Sequence, residues 1–214
     1  EPSEEQRERV ATLIGVGLCG IGLLEQSHKT LLERGPSKVS PYFMPGMLAN
    51  LAPGQVSMRF GFRGPNFTTV SACASSTNAL IDAFNYIRLG KANAIVTGGS
   101  EAAINESGVG GFNAVQAMST RNDDPLTASR PFSMGRDGFV MGEGAGTLIV
   151  ESLRHATRRK APIYAELVGY AATSEAYHMV SPREDGSDIA RTVNLALRDA
   201  GVSPSQVDYV NAHA

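Results

Sequence analysis

The chain has 214 residues, of which 42% are hydrophobic and 19% charged, and its formal net charge is −2. That composition belongs to a folded globular protein and not to a disordered one. The near-neutral charge argues against general nucleic-acid binding, and no apolar run approaches the roughly 20 residues of a membrane helix. Two cysteines, Cys19 and Cys73, make no disulfide framework and fit a reducing cytoplasm. Glu1 to Val10 is acidic and polar, unlike a signal peptide, and Glu1 is not a start methionine, so the natural N-terminus is expected to lie upstream.

In chain order, Ala11 to Gly17 reads as a short buried strand ending in glycines. Ile21 to Arg34 has helical spacing, with Leu23, Leu24, His28, Leu31 and Leu32 on one face, and Gly35-Pro36 ends it. Ser40 to Pro53, rich in Pro, Met and Phe, reads as irregular. Thr68 to Ala72 is predicted as a strand and Ala74 to Leu89 as a helix with Leu80, Phe84 and Ile87 inward, capped by Gly90. Ala94 to Gly98 is a further strand, Gly108 to Gly144 is loop-rich, and Gly146 to Glu151 and Ile163 to Ala172 are strands. Asp188 to Ala200 is a periodic helix followed by Gly201, and Asp208 to Asn211 is a last strand. Strands alternating with helices predict an α/β fold with a largely parallel sheet.

Gly15 to Gly20 matches G-x-G-x-x-G between a strand and a helix, the context of a dinucleotide-binding turn. The acidic residue that should end a second strand about 20 residues later is missing, because that zone is Gly35 to Ser40. The glycines are therefore read as close strand–helix packing, Cys19 as a small buried residue, and no cofactor or metal is expected.

Cys73 stands at the hinge between a predicted strand and a predicted helix. A thiol is a weak nucleophile until it loses its proton, and a helix N-terminus, with its partial positive charge and unpaired N–H groups, favours the thiolate. The same N–H groups can bind a developing oxyanion. Small neighbours (Ala72, Ala74, Ser75, Ser76) leave room for a substrate. Nucleophile and core cysteine both remain open on this physics. A nucleophilic cysteine needs a partner, and four histidines are available. His28 and His155 sit on predicted helices among charged residues and read as solvated or rim positions; His178 lies in a loop, at the rim or structural. His213 follows a predicted strand, which puts it at the carboxyl edge of a parallel sheet, where such folds bind ligands.

Several motifs occur in order: Val70 to Ser76 around Cys73, Gly108 to Phe112, Met118 to Asn122, Ser129 to Phe132, Arg136 to Gly146, Ile163 to Gly169, Ala176 to Met179 and Val210 to His213. The set resembles β-ketoacyl-[acyl-carrier-protein] synthases of the type II elongating kind, members of the thiolase-like condensing enzymes. The resemblance implies a thiolase-like, layered α-β-α fold with a mostly parallel mixed sheet. Residues 1–160 would be most of the N-terminal half and 161–214 the opening of the C-terminal half.

It also implies a reaction: decarboxylative condensation of an acyl group, held on Cys73, with malonyl-acyl carrier protein in fatty acid elongation. Cys73 would be the acyl acceptor, with its N–H in the oxyanion hole. His213 would correspond to the first of two catalytic histidines. Phe112 and Phe43 would line the acyl tunnel, Phe43 from the partner subunit of a homodimer. Acyl carrier protein would dock near Lys38. Arg136 to Gly146 reads as a structural loop, its Arg, Asp and Glu forming a buried ion-pair network, and the basic cluster Arg154, Arg158, Arg159 and Lys160 as a solvated face.

The second histidine, the lysine and the glycine-phenylalanine gate of that family have no counterpart in this stretch, so the 214 residues are expected to be an incomplete piece that does not complete condensation alone. Ala214 stands where relatives often carry glycine. The alternatives are a coenzyme A-dependent thiolase-like acyltransferase, against which the Val210 to His213 ending speaks, and a non-catalytic chain-length subunit, against which the presence of Cys73 speaks.

Overall fold

The computed structural model describes residues 2–213; Glu1 and Ala214 lie outside the described residues. The chain divides into two compact units, 1–159 and 160–214.

The first unit is built on β1 (Val10–Gly15), which is buried on both faces. It follows a short helix, α1 (Glu4–Glu8), capped by the Ser3 side chain. After β1 come α2 (Ile21–Arg34), α3 (Phe43–Met47) and α4 (Leu51–Phe60). Then follow β2 (Asn66–Phe67), α5 (Ser75–Arg88), β3 (Ala94–Glu101) and α6 (Glu106–Ala114). β4 (Gly144–Glu151) and α7 (Leu153–Arg158) close the unit. The sheet order is β2-β1-β3-β4. β1 runs parallel to β2 and β3, and β4 runs antiparallel to β3.

The pleat of β1 and β3 sorts their side chains to two faces. Ala11, Leu13 and Ile95 meet Ala83, Tyr86 and Ile87 of α5 on one face. Ile14, Val16 and Val96 meet Ala52 and Val56 of α4 on the other. Helices thus cover both faces of the central strands, which is why those strands read as continuous apolar runs. Burying each Leu, Ile or Val contributes about 1.5–3 kcal/mol.

Several sequence expectations change. α4 occupies a stretch read as irregular. Pro53 stands at its third position and Pro45 at the third of α3, where the backbone N–H has no carbonyl four residues earlier to bond, so proline costs little. α6 lies inside the loop-rich stretch, started by the Asn105 side chain, which accepts from the Gly108 N–H. Thr68 to Ala72 is not a strand; the ladder to β1 is confined to Asn66–Phe67 and fades through one further bond, Val16 N–H to the Thr69 carbonyl at 3.1 Å. On α5 the deepest stripe is Ser75, Ala79 and Ala83, with Leu80 and Phe84 half-buried. Small residues face the sheet because the helix approaches it closely. On α2 only Ser27 is buried, and Leu24, Leu31 and Leu32 stay exposed.

The second unit contains α8 (Ser187–Ala200), bounded at both ends by glycines in the left-handed region, Gly186 and Gly201. The predicted strands Ile163 to Ala172 and Asp208 to Asn211 have no ladder among the described residues. The first of these segments is instead tied to α8. Gly169 packs against the Ala200 backbone, the Tyr170 N–H donates to Asp199 at 3.0 Å, and Arg191 donates to the Ser174 carbonyl at 2.9 Å. A β-strand exists by pairing its N–H and C=O groups with a neighbour; here the Tyr170 N–H finds a helix side chain, and the Arg191 bond reaches Ser174 just past the segment.

Candidate active site

Between β2 and α5 the chain makes a sharp elbow with Cys73 at its apex. Ala72 carries φ of +51°, a left-handed conformation that costs a non-glycine residue about 1 kcal/mol or more and persists where surroundings enforce it. Four hydrogen bonds enforce it here. The Ala74 N–H donates to the Ser71 carbonyl and the Ser75 N–H to the Ala72 carbonyl, both at 3.1 Å. The Ser75 hydroxyl donates to the same Ala72 carbonyl at 2.7 Å and accepts from the Ser71 N–H at 2.9 Å. Two outer bonds anchor the elbow: Thr69 Oγ1 donates to the Ser75 carbonyl and Asn78 Nδ2 to Ser71 Oγ, each at 2.7 Å.

Two glycines seat this elbow over the carboxyl ends of β1 and β3. A Cβ on Gly15 would lie 2.2 Å from the Ser75 carbonyl carbon, and one on Gly99 would lie 2.6 Å from Ser76 Cβ. Cys73 itself is exposed. It precedes Ala74, the N-cap of α5, which makes no side-chain capping bond.

The glycine-rich turn after β1 is filled from within. The Glu101 carboxylate accepts from the Gly17 N–H at 2.9 Å and from the Leu18 N–H at 3.1 Å. An anion from the protein thus takes the N–H groups that a pyrophosphate would need, a physical reason to set the dinucleotide reading aside. Cys19 follows, half-buried and packed against Ile14, Val16 and Val96. Burial, and secondarily the Glu101 carboxylate, push its thiol pKa up, so it is the less ionised and less reactive kind of thiol. A largely apolar cavity of about 480 Å³ opens here, lined by Val16, Leu18, Cys19, Ala52, Glu101 and Glu143. Cys73 is not among its lining residues.

The remaining candidates lie as follows. Phe112 is half-buried on α6 and meets Phe139 edge-to-face at 5.2 Å and 85°. Phe43 is half-buried at the first position of α3, and Lys38 is exposed in the 3-10 turn Pro36–Lys38. His213 is exposed in the second unit, whereas Cys73 belongs to the first. His28 is exposed on α2. His178 Nδ1 accepts from the Val180 and Ser181 N–H groups at 3.1 and 3.0 Å. His155 is not simply solvated: its Nδ1 lies 2.9 Å from Glu151, which also binds Arg159. Burial opposes ionisation of Glu151, but the bonds from Arg159 and His155 outweigh it and hold the carboxyl below its ordinary value.

The loop Arg136 to Gly146 does not hold one buried ion-pair network. Asp137 pairs with Arg121 at the surface and also accepts from Ser119 and Thr120, Arg136 donates to the Ser133 carbonyl, and Glu143 accepts from the Ile104 N–H. The bond to Ser119, supported by Thr120 and Arg121, lowers the Asp137 pKa. Glu101 and Ser75 escaped the sequence reading. Glu101 acts on a turn 84 residues away, which no local pattern reports; the serine two places after the cysteine was a local signal, read only as small.

An exposed thiol at a strained strand-to-helix elbow, over the carboxyl edge of a mixed sheet layered between helices, defines the class: an α/β protein with a candidate cysteine nucleophile. Residues 1–156 match the beta-ketoacyl synthase N-terminal domain and residues 164–214 the beta-ketoacyl synthase C-terminal domain. The chain belongs to the beta-ketoacyl synthase family. It is 48% identical over 211 residues to 3-oxoacyl-[acyl-carrier-protein] synthase 2 of Staphylococcus aureus, covering 99% of this chain and 52% of that protein. The enzyme of the same name from Synechocystis is also 48% identical, and 51% of it is covered. The chain thus spans about half the length of the curated relatives it matches. Among solved structures, a beta-ketoacyl synthase from Burkholderia phymatum superposes with a TM-score of 0.90 at 35% identity, over 99% of this chain and 51% of that one. A ketosynthase solved with its type II PKS acyl-carrier protein gives 0.92 at 34%, over 98% and 53%. The fold is thiolase-like, with the α-β-α layering and mixed sheet described above.

Proposed function

We propose that this chain carries the acyl-accepting site of a 3-oxoacyl-[acyl-carrier-protein] synthase, an acyltransferase of fatty acid elongation. The observation that carries the reading is Cys73: exposed, at the apex of the elbow, and one residue before the N-cap of α5. In the first half-reaction Cys73 Sγ attacks the carbonyl carbon of an acyl thioester on acyl carrier protein. The tetrahedral oxyanion is met by the Cys73 N–H at the helix start. The S–C bond to Cys73 forms, the bond to the carrier's sulfur breaks, and the proton lost from Cys73 ends on the departing thiol.

In the second, malonyl-carrier protein loses carbon dioxide. His213 donates a hydrogen bond to the malonyl thioester oxygen and stabilises the enolate. The enolate carbon attacks the acyl-cysteine, the thiolate leaves, and the product is a β-ketoacyl chain two carbons longer. Phe112 and Phe43 line the acyl path, Phe43 in the partner subunit of a homodimer; the exposed leucines of α2 are consistent with a face that a partner covers. Lys38 offers a cation to an acidic carrier protein. A carrier-protein partner is consistent with the ketosynthase solved bound to one. The proposed location is the cytoplasm; no helix of the described residues is long and apolar enough to cross a membrane.

The test is to incubate the 214-residue chain with octanoyl-acyl carrier protein and map the adduct by peptide mass spectrometry. A single octanoyl group on Cys73, absent in Cys73→Ser, is expected. No adduct, or one on Cys19, overturns the reading.

A further inference from the structure

We propose that Ser75 is a positioning residue for acyl transfer, aiming the Cys73 N–H through the peptide bond that joins Ala72 to Cys73. The inference rests on the reading of Cys73 as acyl acceptor and adds to it a residue that never touches the substrate.

Ser75 is 3% exposed, and its hydroxyl is used twice. It donates to the Ala72 carbonyl at 2.7 Å and accepts from the Ser71 N–H at 2.9 Å. The Ser75 backbone N–H grips the same Ala72 carbonyl at 3.1 Å. That carbonyl belongs to the peptide unit whose other end is the Cys73 N–H. A trans peptide is planar, with C=O and N–H pointing in opposite directions. Two bonds that hold the carbonyl toward Ser75 therefore aim the Cys73 N–H away from it.

The rest of the elbow leaves this peptide little other support. Ala72, at φ of +51°, is in a region alanine does not choose by itself. Without the hydroxyl, one bond to the Ala72 carbonyl and the Ser71 N–H bond are both lost, and the peptide plane is freer to rotate toward a relaxed φ. Ser75 is in turn fixed from two sides: Thr69 Oγ1 holds its carbonyl at 2.7 Å, and Gly15 of β1 packs directly on its backbone. The clamp is thus referenced to the sheet and not merely to the turn.

This role separates from plain helix capping, because two reactions of one thiol depend on the N–H differently. Acyl transfer passes through a tetrahedral oxyanion that needs the aimed donor. Alkylation by iodoacetamide displaces iodide and forms no oxyanion, so it reports thiol access and ionisation alone.

The experiment measures both rates at Cys73 in the 214-residue chain by peptide mass spectrometry, with octanoyl-N-acetylcysteamine as the acyl donor. Losing a whole oxyanion-hole donor costs about 100- to 1,000-fold. Ser75→Ala misaims one and keeps the backbone bond, so acylation is expected to fall about tenfold while alkylation changes by less than about threefold. Ser75→Thr, which keeps the hydroxyl, is expected to restore acylation. Equal loss of both rates, no loss of acylation, or failure of Ser75→Thr to rescue overturns the proposal. If Ser75→Ala does not fold, Asn78→Ala carries the test: it removes the bond to Ser71 that steadies the clamp, and a loss of a few-fold in acylation alone is expected, equal or no loss refuting it. A wild-type chain that is alkylated at Cys73 but never acylated overturns the underlying functional reading, and the positioning role with it. Normal wild-type acylation with an indifferent Ser75→Ala overturns the positioning role alone.

Discussion

Gly15→Ala tests whether the elbow is held by the sheet. Its Cβ would lie 2.2 Å from the Ser75 carbonyl carbon, 2.3 Å from the Ser75 oxygen and 2.5 Å from the Ser76 nitrogen. All three are backbone atoms, so no side chain can swing aside. Restoring an ordinary contact of 3.4 Å requires the start of α5 to retreat by about 1.2 Å, a strain that a close-packed interior resists. Overpacking of this kind costs about 1–3 kcal/mol. The retreat would also break the Thr69–Ser75 bond, worth about 1 kcal/mol net. A loss of about 3 kcal/mol is expected, a large share of the 5–15 kcal/mol that ordinarily separates folded from unfolded states. Urea unfolding followed by circular dichroism measures it, with Gly142→Ala as the control because a Cβ there meets nothing within 4 Å. A loss under about 1 kcal/mol, or an equal loss in the control, would refute the claim that β1 sets the height of the elbow.

Two further expectations concern stability. Gly110 lies inside α6, and a Cβ on it meets nothing within 4 Å. Gly110→Ala is therefore expected to stabilise by about 0.5–1 kcal/mol through helix propensity and a less flexible unfolded chain, read as a higher urea midpoint; a lower midpoint would contradict the open space seen there. The lowered pKa of Glu151 fixes a pH dependence. A carboxyl depressed on folding contributes stability above its unfolded value, near 4.5, and loses it as the pH falls through the folded value. Glu151→Gln should be less stable than wild type at pH 7, with the gap closing as the pH drops from about 5 toward 3; a gap independent of pH would show that its bonds to Arg159 and His155 contribute nothing through charge.

Much of this protein is legible in its residues. Ile21 to Arg34 forms the helix its spacing predicts, and the helices starting at Ser75 and Ser187 fall within a residue or so of expectation. β1, β3 and β4 appear where apolar runs place them. Local periodicity and the neighbouring glycines dictate these elements, and for the central strands β1 and β3 burial between helices adds to it, whereas β4 is exposed along most of its length. The ordered motifs around Cys73 and through Val210 to His213 were enough to point to the family.

What escaped depends on partners that are distant along the chain. Ile163 to Ala172 has the composition of a strand, but among the described residues no strand pairs with it, and the Tyr170 N–H bonds the Asp199 side chain of α8 instead. The Pro-rich stretch Ser40 to Pro53 reads as irregular, yet Pro53 fits in the first turn of α4, where a proline costs little. Most of all, the string Ser71-Ala-Cys-Ala-Ser75 does not encode locally that Ala72 is left-handed, that Gly15 and Gly99 leave just enough room for the helix start, or that one buried hydroxyl holds the peptide bearing the cysteine's N–H. Side-chain type and short-range period fix which residues could do chemistry and the helical or extended habit around them. The tertiary structure alone decided how the thiol is presented, because that conformation is unfavourable locally and exists only where packing from β1 and β3 outweighs its strain.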